Sequence, residues 1–303
     1  MGLVAMTDLM LKAREGKYAV GYFESWDLQS LKAVVSAAEE ESSPVIIGFN
    51  GGVLKNADRV LKPDNLLYYA AIGKIAAEIT PVPVSFILNE VPVLAHALQG
   101  IDLGFNAVMF EPESEDIDKN IAMFGRLVAK AHLKGVSVEA NFGQLPTADQ
   151  YDLRQRTGSH SLTDPESAKR FVEATGIDLL GVSIGNVEVL MDGKVSLDFE
   201  LFERIHRVVD IPLTLHGGSG IADEDINELI KRGLCKMNLG TALNQAFLDG
   251  MDSVQKSGSQ NISPKYRIGS GLKEDILAGG EISMKELVRY KMKVYGSSGK
   301  AGI

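Results

Sequence analysis

The chain has 303 residues, 45% hydrophobic and 23% charged, a make-up that excludes intrinsic disorder and suits a globular protein with a large core. Its 40 Asp plus Glu outnumber 31 Lys plus Arg for a formal net charge of -9, and no basic stretch is interleaved with aromatics, which argues against nucleic acid as a partner. No apolar run approaches the roughly 20 residues that span a bilayer, so no membrane partner is expected.

The opening stretch MGLVAMTDLMLKAREGK lacks the basic start and small-residue cleavage site of a signal peptide, and a cytoplasmic location is expected. Beyond it, short β-rich runs alternate with segments of helical period. Strands are predicted at Tyr18 to Phe23, Pro44 to Phe49, Val82 to Leu88, Ala107 to Phe110, Val136 to Ala140, Leu179 to Ile184, Ile211 to Leu215 and Cys235 to Leu239. Between them lie helical patterns such as LQSLKAVVSAAEEE, DKNIAMFGRLVAKAHLKG, DPESAKRFVEATG and DEDINELIKRG, with Asp or Thr-Asp-Pro starts and Gly stops where caps belong. Eight βα units with no composition break predict one α/β domain over residues 1–303, a closed (β/α)8 barrel, ahead of an open doubly wound sheet. A polar, aperiodic segment at about 146–162 predicts a long loop after the fifth strand. A second irregular stretch, 257–280, precedes a C-terminal helical extension at about 281–296.

In such a barrel the chemistry gathers at the C-terminal ends of the strands, so the first polar residues after each run are the candidates. They are Glu24; Asn50 with Gly51 and Gly52; Asn89 and Glu90; Glu111 and Glu113; Glu139 and Asn141; Asn186 and Glu188; His216 with Gly217, Gly218 and Ser219; and Asn238, Gly240 and Thr241. Polar residues end strands everywhere, but so many carboxylates around one imidazole are harder to dismiss. In LTLHGGSG consecutive glycines let backbone N–H groups converge on an anion, and NLGT after the next strand adds an amide, a glycine and a hydroxyl. Together these predict a phosphate site on Gly217, Gly218, Ser219, Asn238, Gly240 and Thr241. His96, His132, His160 and His206 have no partners at metal spacing and read as structural or exposed. Cys235, the single cysteine, reads as a small buried hydrophobe. Lys236 shares a face with Asn238, and with no accompanying acid evident it reads as structural rather than as a Schiff-base lysine.

The stretches LKAVVSAAEEESSPVII, FNGG, VPVSFIL, AHLKGVSVEA, LTDPESAKRFVEATGIDLLGVSIGN, LDFELFERIHRVVDIPLTLHGGSGIADEDI, KMNLGT and KVYGSSGKA together resemble the class II, metal-dependent fructose-bisphosphate and tagatose-bisphosphate aldolases over nearly the whole chain. The resemblance implies a (β/α)8 barrel, a divalent metal that is usually zinc, a phosphorylated ketose substrate and a homodimer or homotetramer. Where that family ends its third strand on a proton-transfer Asp and a metal-binding His, this chain has Asn89 and Glu90. The metal-binding His after the sixth strand aligns with Glu188, and the third is retained as His216. The family's Glu-x-Glu becomes Glu139-Ala140-Asn141, its Asp after the fourth strand aligns with Glu111, and Gly240 replaces a usual Asp or Asn.

Two imidazoles replaced by carboxylates make the implied metal site, Glu90, Glu188 and His216, harder and more negative, better matched to manganese, magnesium or iron than to zinc. The expectation is a metal-dependent aldolase that stabilises an enediolate of a small phosphorylated sugar. Asn89 cannot take a proton, so Glu111 or Glu139 is the expected base, with Glu24 a third candidate and Glu24 and Asn50 near the substrate. The rival readings are a metal-dependent sugar or sugar-phosphate isomerase or epimerase, and a non-catalytic sugar-phosphate-binding protein.

Overall fold

The computed structural model describes residues 2–61, 65–114, 116–146, 151–152, 157–158, 162–188, 195–257 and 262–302. Its strands are β1 (Val20–Phe23), β2 (Val45–Asn50), β3 (Val84–Val91), β4 (Ala107–Phe110), β5 (Ser137–Phe142), a two-residue pair β6 (Tyr151–Asp152) and β7 (Thr157–Gly158), then β8 (Leu179–Val182), β9 (Leu213–Leu215) and β10 (Leu234–Leu239). Its helices are α1 (Met6–Gly16), α2 (Leu28–Glu40), α3 (Gly51–Lys55), α4 (Leu66–Ile79), α5 (Leu94–Leu103), α6 (Ile117–Leu133), α7 (Pro165–Thr175), α8 (Phe199–Val208), α9 (Asp223–Lys231), α10 (Thr241–Ser257), α11 (Pro264–Arg267) and α12 (Ile276–Val294).

Eight strands close in the order β1-β10-β9-β8-β5-β4-β3-β2, all neighbours parallel, and the fold is a (β/α)8 barrel. All eight predicted strands are present. Each is buried on both faces, inside by the barrel contents and outside by helices, so each reads as an apolar run. The helices begin where short polar side chains can satisfy free N–H groups. Asp27 accepts from the Ser30 N–H at 2.8 Å while Ser30 Oγ takes the Asp27 N–H at 3.0 Å, a reciprocal cap that holds α2 by about 1 kcal/mol. Asp116 and Asp164 cap α6 and α7 more simply, each side chain accepting from N–H groups of the first turn. The expected Asp cap of α9 is different: Ala222 precedes the helix without a side-chain bond, and Asp223 instead meets Lys291 Nζ and the Tyr290 hydroxyl of α12, each at 2.6 Å.

Helix α12 starts at Ile276, about five residues before the expected extension, because Asp275 accepts from the Leu277 N–H at 3.0 Å and stops fraying there. It packs on α10 and α2. Most of the expected loop at 146–162 lies outside the described residues. Helix α1 was not expected. Its Met6, Leu9, Met10 and Ala13 join Val20, Ile46, Ile87 and Met109 in an apolar cluster inside the barrel that reaches up to the ring of Tyr22.

Candidate active site

Along the inward faces the side chains change from apolar to polar toward the C-terminal mouth, since alternate residues of each strand point inward. Val20 stands opposite Lys236, which in turn stands opposite Thr214, and Met109 stands opposite Glu139; two residues further along the strands from these and from Ile87 come Tyr22, Asn238, His216, Asn89 and Glu111. Lys236 is fully buried, with Nζ 2.9 Å from each oxygen of Glu139 and 2.6 Å from Asn238 Oδ1. The acid partner that the sequence reading did not find for Lys236 is therefore Glu139, inward-facing on a strand across the barrel. Burial alone would raise the Glu139 carboxyl, but the Lys236 ammonium and His216 reverse this and hold it at about 2.

His216 stands on this pair. Its Nε2 faces Glu139 Oε1 at 3.2 Å, its Nδ1 faces Glu90 Oε1 at 3.6 Å, and Asn238 Nδ2 lies 3.1 Å from Nε2. Burial would lower the imidazole, and the two glutamates instead push it up to about 9. Asn186 fixes the backbone there by donating from Nδ2 to the His216 carbonyl at 3.1 Å. The next residue, Gly217, has φ +76°, and a Cβ on it would come within 2.3 Å of the Val187 carbonyl, so only glycine fits.

The third strand does not stop where its apolar run stops. β3 continues to Val91, and its register against β4 shifts between Leu88 and Val91, with Glu90 in the left-handed region at φ +51°. This irregularity lets two successive side chains, Asn89 and Glu90, serve the same mouth. Asn89 Nδ2 donates to Glu90 Oε1 at 2.7 Å, and Asn50 Nδ2 donates to Glu90 Oε2. The Asn89 Oδ1, the Asn141 Oδ1 and the Tyr22 hydroxyl are buried with no partner among the described residues.

Glu90 is the centre of a negatively charged group. Burial, then Glu90, pushes Glu24 up to about 8 and Glu188 up to about 7; the same two causes raise Glu111, which accepts from Asn141 Nδ2 at 2.9 Å. Glu24, Asn50, Glu90, Glu188 and His216 line one cavity of ≈ 320 Å³, whose opposite wall is Gly217 to Ser219 and Asn238 to Thr241. A second cavity of ≈ 1070 Å³ adjoins it through Glu188 and is lined by Glu111, Asn141 and the rings of Phe110 and Phe142. Every expected site residue thus lies at the mouth or directly beneath it. Tyr22, one step from Glu24 along β1, escaped the sequence reading, though its inward parity with Val20 was a usable signal. Of the other histidines, His96 lies on α5, His132 faces Asp178 at 3.1 Å on the outer surface and His206 lies on α8, while His160 falls outside the described residues. Cys235 is buried, and desolvation pushes its thiol up to about 11.

The donors suit a hard divalent cation in kind: carboxylate oxygens, one imidazole and unpartnered buried amide oxygens, in a group whose mutual repulsion a cation would relieve. They do not already converge, for among the described residues no three His, Cys, Asp or Glu side chains are grouped to hold one ion.

A closed barrel with its ionisable groups gathered at the C-terminal mouth is the architecture of a (β/α)8 enzyme. The family model described as fructose-bisphosphate aldolase class-II matches residues 4–300. The chain is 33% identical to the 6-phospho-5-dehydro-2-deoxy-D-gluconate aldolase of Bacillus licheniformis, over 99% of this chain and 97% of that one. It is 32% identical to the fructose-bisphosphate aldolase of Geobacillus stearothermophilus, over 99% of both. The crystal structure of the YdjI aldolase from Escherichia coli K12 superimposes with a TM-score of 0.79 at 29% identity, covering 99% of each chain. The chain belongs to the class II fructose-bisphosphate aldolase family and is a lyase of the aldolase type. Among the described residues no helix is long and apolar enough to cross a membrane.

Proposed function

We propose that the chain is a metal-dependent aldolase that cleaves, and in reverse forms, the C–C bond between the α and β carbons of a phosphorylated ketose. The observation that carries this reading is the set of four glutamates, Glu24, Glu90, Glu111 and Glu188, around the one imidazole at the mouth of an aldolase-family barrel. Glu90, Glu188 and His216 are the residues that would hold a divalent cation. Bound there, it would polarise the ketose carbonyl and stabilise the negative charge that cleavage places on it.

The chain's own groups divide the remaining work. Glu139, kept ionised by Lys236, orients His216 and takes no part in moving protons. Glu111, raised by burial and Glu90, is the carboxylate suited to remove the hydroxyl proton from the carbon that leaves as aldehyde. Asn89 binds without exchanging a proton: its amide donates to Glu90, and its Oδ1 is left to accept from a substrate hydroxyl. A cytoplasmic location and a homodimer or homotetramer belong to the same proposal.

The test is protein purified without chelators, analysed for metal and incubated with a panel of ketose mono- and bisphosphates. Manganese should raise the melting temperature, and aldehyde or triose phosphate should appear. Glu111→Gln should lower kcat by about 10²–10⁴-fold while leaving the manganese-induced rise intact. Solvent deuterium entering the substrate without aldehyde release would make the protein an isomerase or epimerase instead. Sugar-phosphate binding with no turnover and no metal effect would make it a binding protein.

A further inference from the structure

Tyr22 is 1% exposed and lines the cavity that also holds Glu24, Glu90, Glu188 and His216. Its ring is well fixed. The centroid stands 5.5 Å from Lys236 Nζ, and the register sets its Cα opposite Asn238 of β10. The hydroxyl is less well provided for: it is buried with no hydrogen-bond partner among the described residues.

The side-chain donors around it are already spent on the protein. Lys236 donates to Glu139 and Asn238, Thr214 to Glu139 at 3.0 Å, Asn89 to Glu90 and Asn141 to Glu111, while Asn238 Nδ2 lies 3.1 Å from His216 Nε2. Tyr22 keeps its donor unspent although acceptors abound. Burial first, then Glu24, Glu90 and Glu139, push its hydroxyl well above the usual tyrosine range, so it holds its proton and remains a neutral donor. Leaving such a donor buried and unpaired is destabilising, and an oxygen arriving from outside the protein would satisfy it.

We propose that Tyr22 is a catalytic residue: its hydroxyl donates a hydrogen bond to the ketose carbonyl oxygen, and that bond strengthens as cleavage places negative charge on the oxygen. The proton stays on the tyrosine throughout. Position selects this oxygen over that of the departing aldehyde. Tyr22 stands opposite Asn238, beside the wall of Gly217 to Ser219 and Asn238 to Thr241 where the phosphate is expected, and a carbonyl one carbon from the phosphorylated carbon stays close to that wall. The aldehyde half belongs with Glu111, which follows β4. A donor already in place for the developing charge needs no rearrangement at the moment of reaction. The proposal rests on the aldolase reading for its kinetic arm and is independent of turnover for its binding arm.

The kinetic arm compares the wild type with Tyr22→Phe, which removes the hydroxyl and keeps the ring over Lys236, on a ketose phosphate that the wild type cleaves. kcat should fall about 10²–10³-fold, the usual loss when one donor to a developing oxyanion is removed, with KM changed less than about threefold. The melting temperature, with and without manganese, should match or exceed that of the wild type, because an unpaired buried donor has gone. A kcat within about threefold of wild type, or a loss that tracks a lower melting temperature or a lost manganese response, overturns the proposal. The binding arm is a calorimetric titration of acetohydroxamate, which presents two adjacent oxygens in one plane as an enediolate does, into both manganese-loaded proteins. Tyr22→Phe should bind it at least about tenfold more weakly. Equal affinity, or binding by neither protein, overturns the proposal. If neither protein cleaves any ketose phosphate, the aldolase reading falls, and this titration still decides the role of Tyr22.

Discussion

The two ends of the barrel interior are built on opposite principles. At the N-terminal ends of the strands, α1 presses Met6, Leu9 and Met10 onto Val20, Ile46 and Ile87, all buried and apolar. At the C-terminal ends, the same inward positions hold four glutamates that repel one another, a left-handed Glu90 and buried oxygens without partners. The first end is arranged for stability and the second is held against it. The layer between them, Lys236 with Glu139, separates the two. It anchors His216 from below and is itself covered by Tyr22, whose ring centroid lies 5.5 Å from Lys236 Nζ.

The largest effect is expected where that layer is broken. Lys236→Met leaves the Glu139 carboxylate, 1% exposed, without its cation, and removing one partner of a buried pair costs about 3–5 kcal/mol. Urea denaturation should show that loss. The double variant Lys236→Met/Glu139→Leu should recover much of the stability, because a hydrophobic pair of similar volume is no worse than a buried ion pair. If the single variant is as stable as the wild type, the middle layer is not what holds the mouth in place.

How much of this was legible follows the same division. The eight strands were, because a strand buried on both faces is a continuous apolar run. The mouth residues were too, because each follows such a run. Helix α1 was not: its N-cap is Ala5 with no side-chain bond, and it ends on Lys17 in the left-handed conformation at φ 51°, where a glycine would have announced the stop. The Lys236–Glu139 pair was hidden for a different reason: its members are 97 residues apart and meet only when the barrel closes. The bend at Glu90 was hidden because nothing in Asn-Glu requires a positive φ. The strand reading ended at Leu88, and the register shift that carries Asn89 and Glu90 together into the mouth is a property of the pairing with β4.

A smaller effect of opposite sign is expected from relieving the repulsion at the mouth. An unfolded Glu titrates near about 4.3, whereas Glu24 and Glu188 are pushed up to about 8 and about 7 in the folded protein. The folded state therefore holds their protons more tightly. Their contribution is fully present below about 4.3 and is lost as pH rises through 7 and 8. Glu139, held at about 2, runs the other way: its contribution is present above about 4.3 and is lost as pH falls toward 2. At pH 8, Glu24→Gln and Glu188→Gln should each raise the free energy of unfolding by about 1–2 kcal/mol. At pH 4, where the wild-type groups are already neutral, neither substitution should matter. A gain of equal size at both pH values would show that packing, not charge, separates the two ends.

The smallest effect concerns the backbone that brings Glu90 to the mouth. A left-handed conformation costs a non-glycine residue about 1–3 kcal/mol, and Glu90 adopts one at φ +51°. Glu90→Ala and Glu90→Gly both delete the carboxylate and its bonds to Asn50 and Asn89, so both should lose activity and metal-induced stabilisation alike. They differ only in the Cβ. Glycine relieves the strain but loses about 0.5–1 kcal/mol of chain entropy relative to alanine, so Glu90→Gly should be the more stable of the two by about 1 kcal/mol in paired urea titrations. If alanine proves equal or better, the bend carries no strain, and the mouth owes its instability to its charges alone.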